Sequence, residues 1–218
     1  MNKPTIVIIG GGSKSGAQIA ERFRQDGCHV LVLSHQPYDN AISADFADVY
    51  DVLAKFRLLT ESVEHIDMFI YNTNVPTLPN NIEDFQEPMY DSRIEFYRIG
   101  WTNAVNSTML IPHLLTLAAL EKMSSTSRCV YFTTYLSYAD INQYKLHSEH
   151  VAYRGTKSVQ NFIMLAFAQH NQAGATFVSL SPHYPYDRAD LLELAIDRVY
   201  TTLNSISAKD NGTIIACY

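Results

Sequence analysis

Apolar positions along this chain switch between two spacings. Thr5–Ile9 (TIVII) is an unbroken, mostly β-branched run, too short for a helix and followed by glycines, and it predicts a strand buried on both faces. Over 16–25, Ile19, Ala20 and Phe23 recur at helical spacing until Gly27 ends the pattern. The alternation then repeats. Strands are predicted at His29–Ser34, 66–71, 127–133, 175–180 and Thr213–Cys217. Helices are predicted at 48–60, about 92–123, 151–172 and 187–207, the first of them with Val49, Val52, Leu53, Phe56 and Leu59 on one face. No repeat, low-complexity tract or linker interrupts this order.

Strand and helix in strict alternation call for an α/β fold: a single-domain, doubly wound (Rossmann-type) parallel sheet over 1–218, with right-handed crossovers and helices on both faces. In such sheets ligands gather at the carboxyl ends of the strands, near the point where strand order reverses. Attention therefore falls on the loops after Ile9, Leu33, Tyr71, Thr133 and Leu180.

Composition narrows the partners. The 218 residues are 47% hydrophobic and 17% charged, with a net charge of −6, an ordinary balance for a chain with a core. A negative surface without a basic stripe argues against nucleic acid. The longest apolar stretch, 109–120, is interrupted by Pro112 and His113 and falls short of the roughly 18 residues of a membrane span. A soluble, cytoplasmic protein is expected. Cys28, Cys129 and Cys217 are too scattered for a disulfide frame or a metal site. His147, Glu149 and His150 read as a solvated polar loop, so no metal is expected.

The first strand runs directly into Gly10, Gly11 and Gly12. A turn from a buried strand into a helix exposes unpaired amides and the positive end of the helix dipole. Glycines let a diphosphate approach that backbone. Gly10, Gly12, Ser13, Ser15 and Gly16 are the candidate binders. Lys14 does not make this an ATPase-type loop, because Ser13 rather than glycine precedes it. Its ammonium instead suits an extra phosphate. The second strand ends in Ser34 and His35, with no carboxylate to repel a 2′-phosphate, so NADP(H) is favoured and NAD(H) remains possible.

A second constellation lies in VAYRGTKSVQNF. Tyr153 and Lys157 are four residues apart on a predicted helix and share a face. A phenol with a pKa near 10 is a poor proton donor at neutral pH, and a neighbouring ammonium lowers that value. The preceding strand end, CVYFTTYLS, offers Thr133, Thr134 and Ser137 to hold a carbonyl oxygen. Tyr135, Tyr138, Tyr144, Tyr184 and Tyr186 crowd the predicted mouth, suiting a flat, partly apolar substrate or simply covering the helix beneath.

Together these features resemble the short-chain dehydrogenase/reductase family over essentially the whole chain. The family's T-G-x3-G-x-G falls on Ile9, Gly10, Lys14 and Gly16, with both outer glycines kept. Its adenine-contacting aspartate matches Asp45, followed by Phe46. Its N-N-A-G turn corresponds to Asn72, Thr73, Asn74 and Val75, with only Asn72 kept. Its Y-x3-K pair matches Tyr153 and Lys157 unchanged, its serine falls on Thr134 or Ser137, and its Pro-Gly element on Pro182 and His183. Asn103 is the nearest counterpart of its structural asparagine.

The resemblance implies hydride transfer between NADP(H) and a small carbonyl or alcohol. Tyr153 would be the general acid/base, and Lys157 would tune it and hold the nicotinamide ribose. It also implies a homo-oligomer paired through the two long helices, with Val105, Met109, Phe162 and Phe167 as contributors. The altered motifs raise an alternative: a nucleotide sensor or protein-binding module on the same fold. A remoter one is a sheet whose nucleotide site is closed by Lys14 and its neighbours.

Overall fold

The structure, a computed structural model, describes residues 3–38, 40–73, 91–134, 137, 151–184 and 188–217. Its elements are β1 (Thr5–Ile9), α1 (Lys14–Gln25), β2 (His29–Ser34), β3 (Ala41–Ser43), α2 (Val49–Thr60) and β4 (Met68–Tyr71). They continue with α3 (Asp91–Val105), a π-helical turn at Asn106–Leu110, α4 (Ile111–Leu120), β5 (Arg128–Phe132), α5 (Val151–His170), β6 (Thr176–Pro182), α6 (Ala189–Ser205) and β7 (Thr213–Cys217).

All seven strands are parallel, in the order β3-β2-β1-β4-β5-β6-β7. Strand alternation divides the core between the two faces. Val7 and Ile9 face a cluster with Val52 and Phe56 of α2, Leu115 of α4 and Met164 of α5. Ile6 and Ile8 face the opposite cluster, built on Ile19 and Phe23 of α1 and Ile196 and Val199 of α6. The expected doubly wound sheet is therefore present. After β3 the chain crosses to the far side of β1, so the order reverses between β1 and β4.

Three local expectations need correction. Ala41–Ser43 forms a short edge strand that the sequence pattern does not flag, since three residues, none of them buried, have no readable alternation. Phe167 does not project outward from α5, but stacks on Phe177 at 5.4 Å and packs against the core. The helix expected over 92–123 is broken by the π turn, and α4 ends at Leu120.

Pro112 explains that break. It has no N–H for the carbonyl of Thr108, and its ring crowds the preceding turn. Widening that turn sends the Ile111 amide to the Asn106 carbonyl, five residues back. The carbonyl of Ser107 is then left without a helical donor. The hydroxyls of Tyr71 and Thr73, at and just beyond the end of β4, fill the gap: the Tyr71 phenol donates to it, and Thr73 Oγ1 lies 3.2 Å away. A helix defect thus docks onto the carboxyl end of β4.

Candidate functional site

The glycine turn is held from below and beside. The Gly10 amide donates to the carbonyl of Leu33 at 2.8 Å, and the Asn72 amide to that of Ile9 at 2.8 Å. Gly10 sits at φ +81°, the left-handed region that glycine enters without penalty. Ser13 caps α1, accepting from the Gly16 amide at 3.1 Å. The first turn of a helix points its amides beyond the helix's own ladder of carbonyls. Asn72 Nδ2 reaches Ser13 Oγ at 3.1 Å and the Gly10 carbonyl at 3.4 Å, tying the end of β4 to the loop.

This loop and the strand ends around it enclose a cavity of about 620 Å³, within the roughly 300–1,000 Å³ of cofactor and ligand sites. Gly10, Gly12, Ser13, Ser34, His35, Asp45, Phe46, Asn72 and Thr73 line it, all anticipated from the sequence. Gln36, Ala47, Asn103 and Ser107 complete the wall. Of these only Asn103 was singled out, and as a structural asparagine. The cavity owes its shape to absent side chains. A Cβ at Gly12 would lie 2.1 Å from Ser34 Oγ, and one at Gly16 would lie 2.7 Å from the Gly10 carbonyl oxygen. Such a bare, amide-lined cradle at the strand-order reversal fits the pyrophosphate of a dinucleotide.

Other anticipated residues stand elsewhere. Lys14 is the first residue of α1, exposed and outside the cavity lining, while Ser15 and Gly16 are buried in the helix start. Pro182 closes β6, and His183 beyond it is exposed. Asn74, Tyr135, Tyr138, Tyr144, Tyr186, His147, Glu149 and His150 lie outside the described residues. Tyr184 packs against the cluster on the α1 and α6 face.

Tyr153 is half-buried in the first turn of α5, and Lys157 one turn later is 1% exposed. The lysine crosses to the strand ends. Its Nζ donates to the carbonyl of Thr73 at 2.9 Å, to that of Phe132 at 2.7 Å and to Gln160 Oε1 at 3.1 Å. An ammonium carries three hydrogens, and each has an oxygen. Burial pushes its pKa down to about 7. Through Thr73, which also lines the cavity, the lysine is one residue from the dinucleotide-type cradle.

The two hydroxyl candidates at the end of β5 differ in their surroundings. The Ser137 hydroxyl donates to the Thr134 carbonyl at 2.6 Å, accepts from Asn161 Nδ2 at 2.9 Å and lies 2.9 Å from Thr133 Oγ1. That set uses its donor and both lone pairs. Ser158 Oγ holds the Ser137 carbonyl at 2.7 Å, fastening the segment to α5. Thr134 is half-buried beside it.

Solved structures with the same architecture are numerous. A short-chain dehydrogenase from Burkholderia cenocepacia J2315 in complex with NADP superposes with a TM-score of 0.76 and 17% identity, covering 98% of this chain and 95% of its own. The fold is that of the short-chain dehydrogenases/reductases. An oxidoreductase of that family from Brucella ovis, with partially ordered NAD, gives a TM-score of 0.72 at 16% identity over 100% of both chains. A short-chain dehydrogenase from Leptospira borgpetersenii with bound NAD+ gives 0.74 at 16% identity, covering 100% of this chain and 92% of its own. No protein-family model and no curated protein matches the sequence. None of the described helices is long and apolar enough to cross a membrane.

Proposed function

We propose that this protein is an NAD(P)(H)-dependent oxidoreductase of the short-chain dehydrogenase/reductase type, with NADP(H) preferred and a small carbonyl or alcohol as substrate. The observation that carries the reading is the convergence on Thr73, which lines the glycine-loop cavity and whose carbonyl takes a hydrogen from Lys157, one turn from Tyr153. When bound, the nicotinamide supplies or accepts a hydride at the substrate carbon. The amides at the start of α1 and the Asn72-braced glycine turn hold the pyrophosphate, while Asp45 and Phe46 line the adenine end. His35 at the cavity and Lys14 at its edge favour a 2′-phosphate. Tyr153 gives its phenolic proton to the substrate oxygen in reduction and takes it back in oxidation. Lys157 stabilises the phenolate by its charge. Thr134, with Ser137 as the alternative, is the hydroxyl assigned to the carbonyl oxygen.

Replacing Tyr153 with Phe tests this reading. Turnover across a panel of carbonyl substrates should fall by about a hundredfold or more, the scale of general acid catalysis. The NADPH dissociation constant, from fluorescence titration, should stay within about threefold, since Tyr153 gives at most one weak bond to the cofactor. Undiminished turnover would remove Tyr153 from the mechanism.

One observation favours a second reading, a nucleotide-binding module without turnover. The three hydrogens of Lys157 end on protein oxygens, leaving none for a ribose. That reading expects saturable NADPH binding and no carbonyl reduction by the wild-type protein.

We also infer a homo-oligomer. Trp101 of α3, Leu117 of α4 and Phe162 of α5 are 43%, 46% and 71% exposed, and such outward apolar side chains suit burial against a second copy.

A further inference from the structure

Gln160 lies in the middle of α5, fully buried on the face that carries Lys157. A leucine or methionine would fill that space without burying an amide. Here both ends of the amide are engaged. Oε1 accepts from Lys157 Nζ at 3.1 Å, and Nε2 lies 3.4 Å from the Phe132 carbonyl, which Lys157 also uses. Neither atom faces solvent. The amide therefore closes a ring of oxygens around one nitrogen.

The number of acceptors decides which form of the lysine fits. An ammonium matches three oxygens with three hydrogens. A neutral amine has two hydrogens and a lone pair, so one oxygen would face that lone pair. Take Gln160 away and the remaining two carbonyls suit the neutral amine equally well. Desolvation is then opposed by one acceptor fewer.

We propose that Gln160 is a positioning residue for Lys157: its side-chain oxygen is the third acceptor that keeps the lysine charged and seated against the carbonyls of Thr73 and Phe132. The inference rests on the reading above, in which the charge of Lys157 acts on Tyr153. Among the described residues, burial is what pushes the Lys157 value down. From β4 and β5 the titratable groups on this face of the sheet are Tyr71, Cys129 and Tyr131, all pushed upward by burial and so neutral. The π turn and β6 carry none. On α3, Glu95 and Arg98 are exposed and paired with each other. On α5 itself, Tyr153 and Arg154 are the nearest titratable residues among those described.

The test reads the lysine directly. In protein labelled at lysine Cε, the Lys157 resonance is identified by its loss in Lys157→Arg and followed against pH. Gln160→Leu should lower its midpoint by about one to two pH units, the worth of one bond to a charged group. Gln160→Glu, which keeps the acceptor and adds a negative charge, should raise the midpoint by at least about one unit. The alkaline limb of kcat/KM should move in the same directions. An unchanged Lys157 midpoint in Gln160→Leu overturns the proposal. If that variant does not fold, an unchanged midpoint in Gln160→Glu does the same. Should Tyr153→Phe keep its turnover, the catalytic reading fails, while the lysine titration still decides the role of Gln160.

Discussion

An alanine at Gly16 tests whether the close approach of α1 to the strand ends is needed. Gly16 lies in the first turn of the helix without a left-handed backbone, so conformation alone permits the change. Space does not. The added Cβ would fall 2.7 Å from the Gly10 carbonyl oxygen, 2.8 Å from Asn72 Nδ2 and 2.9 Å from Gly11 Cα. Two of these are backbone atoms of the glycine turn itself. Ordinary contact begins at 3.4 Å, so the helix start must back away by about half an ångström or more. Overpacking of this kind costs about 1–3 kcal/mol. Against it stands a gain of at most about 1 kcal/mol in helix propensity. The expected net loss is about 1–2 kcal/mol, a fall in Tm of roughly 3–6 °C for a chain of this size. The same shift moves the amides away from a diphosphate, so NADPH affinity should drop about tenfold or more. Gly155→Ala is the matched control. It sits in α5 between Tyr153 and Lys157, and an added Cβ there meets nothing within 4 Å. It should stabilise by about 0.5–1 kcal/mol and leave NADPH binding unchanged. Thermal melts and fluorescence titrations read both variants. If Gly16→Ala melts at or above the wild type with unaltered affinity, the close-approach argument is wrong.

Three further outcomes are expected. Lys157 has a folded value near 7 against an ordinary 10.5, so the unfolded chain binds more protons between the two. Its contribution to stability is complete above the unfolded value and is lost as pH falls to about 7. Wild-type stability measured against Lys157→Met should therefore rise with pH between about 7 and 9, by up to about 1.4 kcal/mol per unit. Urea melts giving a flat difference refute this. Lys14→Ala should weaken NADPH about fivefold and leave NADH almost unchanged, the scale of one exposed charge–phosphate pair; equal losses for both would deny Lys14 a role at a 2′-phosphate. Pro112→Ala restores a helical donor, so Ile111 can return to the Ser107 carbonyl and displace Tyr71 and Thr73. NADPH affinity should fall several-fold, and unaltered binding would show that the π turn does not shape the cavity.

The sheet was legible because the buried strands are short apolar runs that alternate with longer segments of helical spacing, and that alternation calls for a parallel sheet. Part of the cavity lining followed from that, since Gly10, Ser34 and Asn72 stand at or just beyond the ends of predicted strands, whereas Asp45 came from the family resemblance. What escaped was set by single atoms. Ala41–Ser43 pairs with β2 alone and is too short to show a pattern. The π turn left one sign in the sequence, Pro112 inside an apolar helical run, which marks a missing donor without saying how the carbonyl is satisfied. Gln160 left another, an amide three residues after Lys157 on the same helical face. Its meaning depends on where the Phe132 carbonyl points, which no spacing rule supplies.

These details join into one path. Pro112 withholds a hydrogen, the Ser107 carbonyl turns to Tyr71 and Thr73, and the Thr73 carbonyl takes a hydrogen of Lys157. The lysine binds Phe132 on the neighbouring strand, and Gln160 fills its last position. A lysine so seated cannot swing toward a ligand without releasing the ends of two strands, one of which forms the cavity wall. Its part in the proposed reaction is therefore a charge held in one place, which declines as pH rises past about 7. The group that travels with the proton has to be the phenol of Tyr153, half-exposed one turn earlier, and the cofactor ribose must find its partners among the residues that line the cavity.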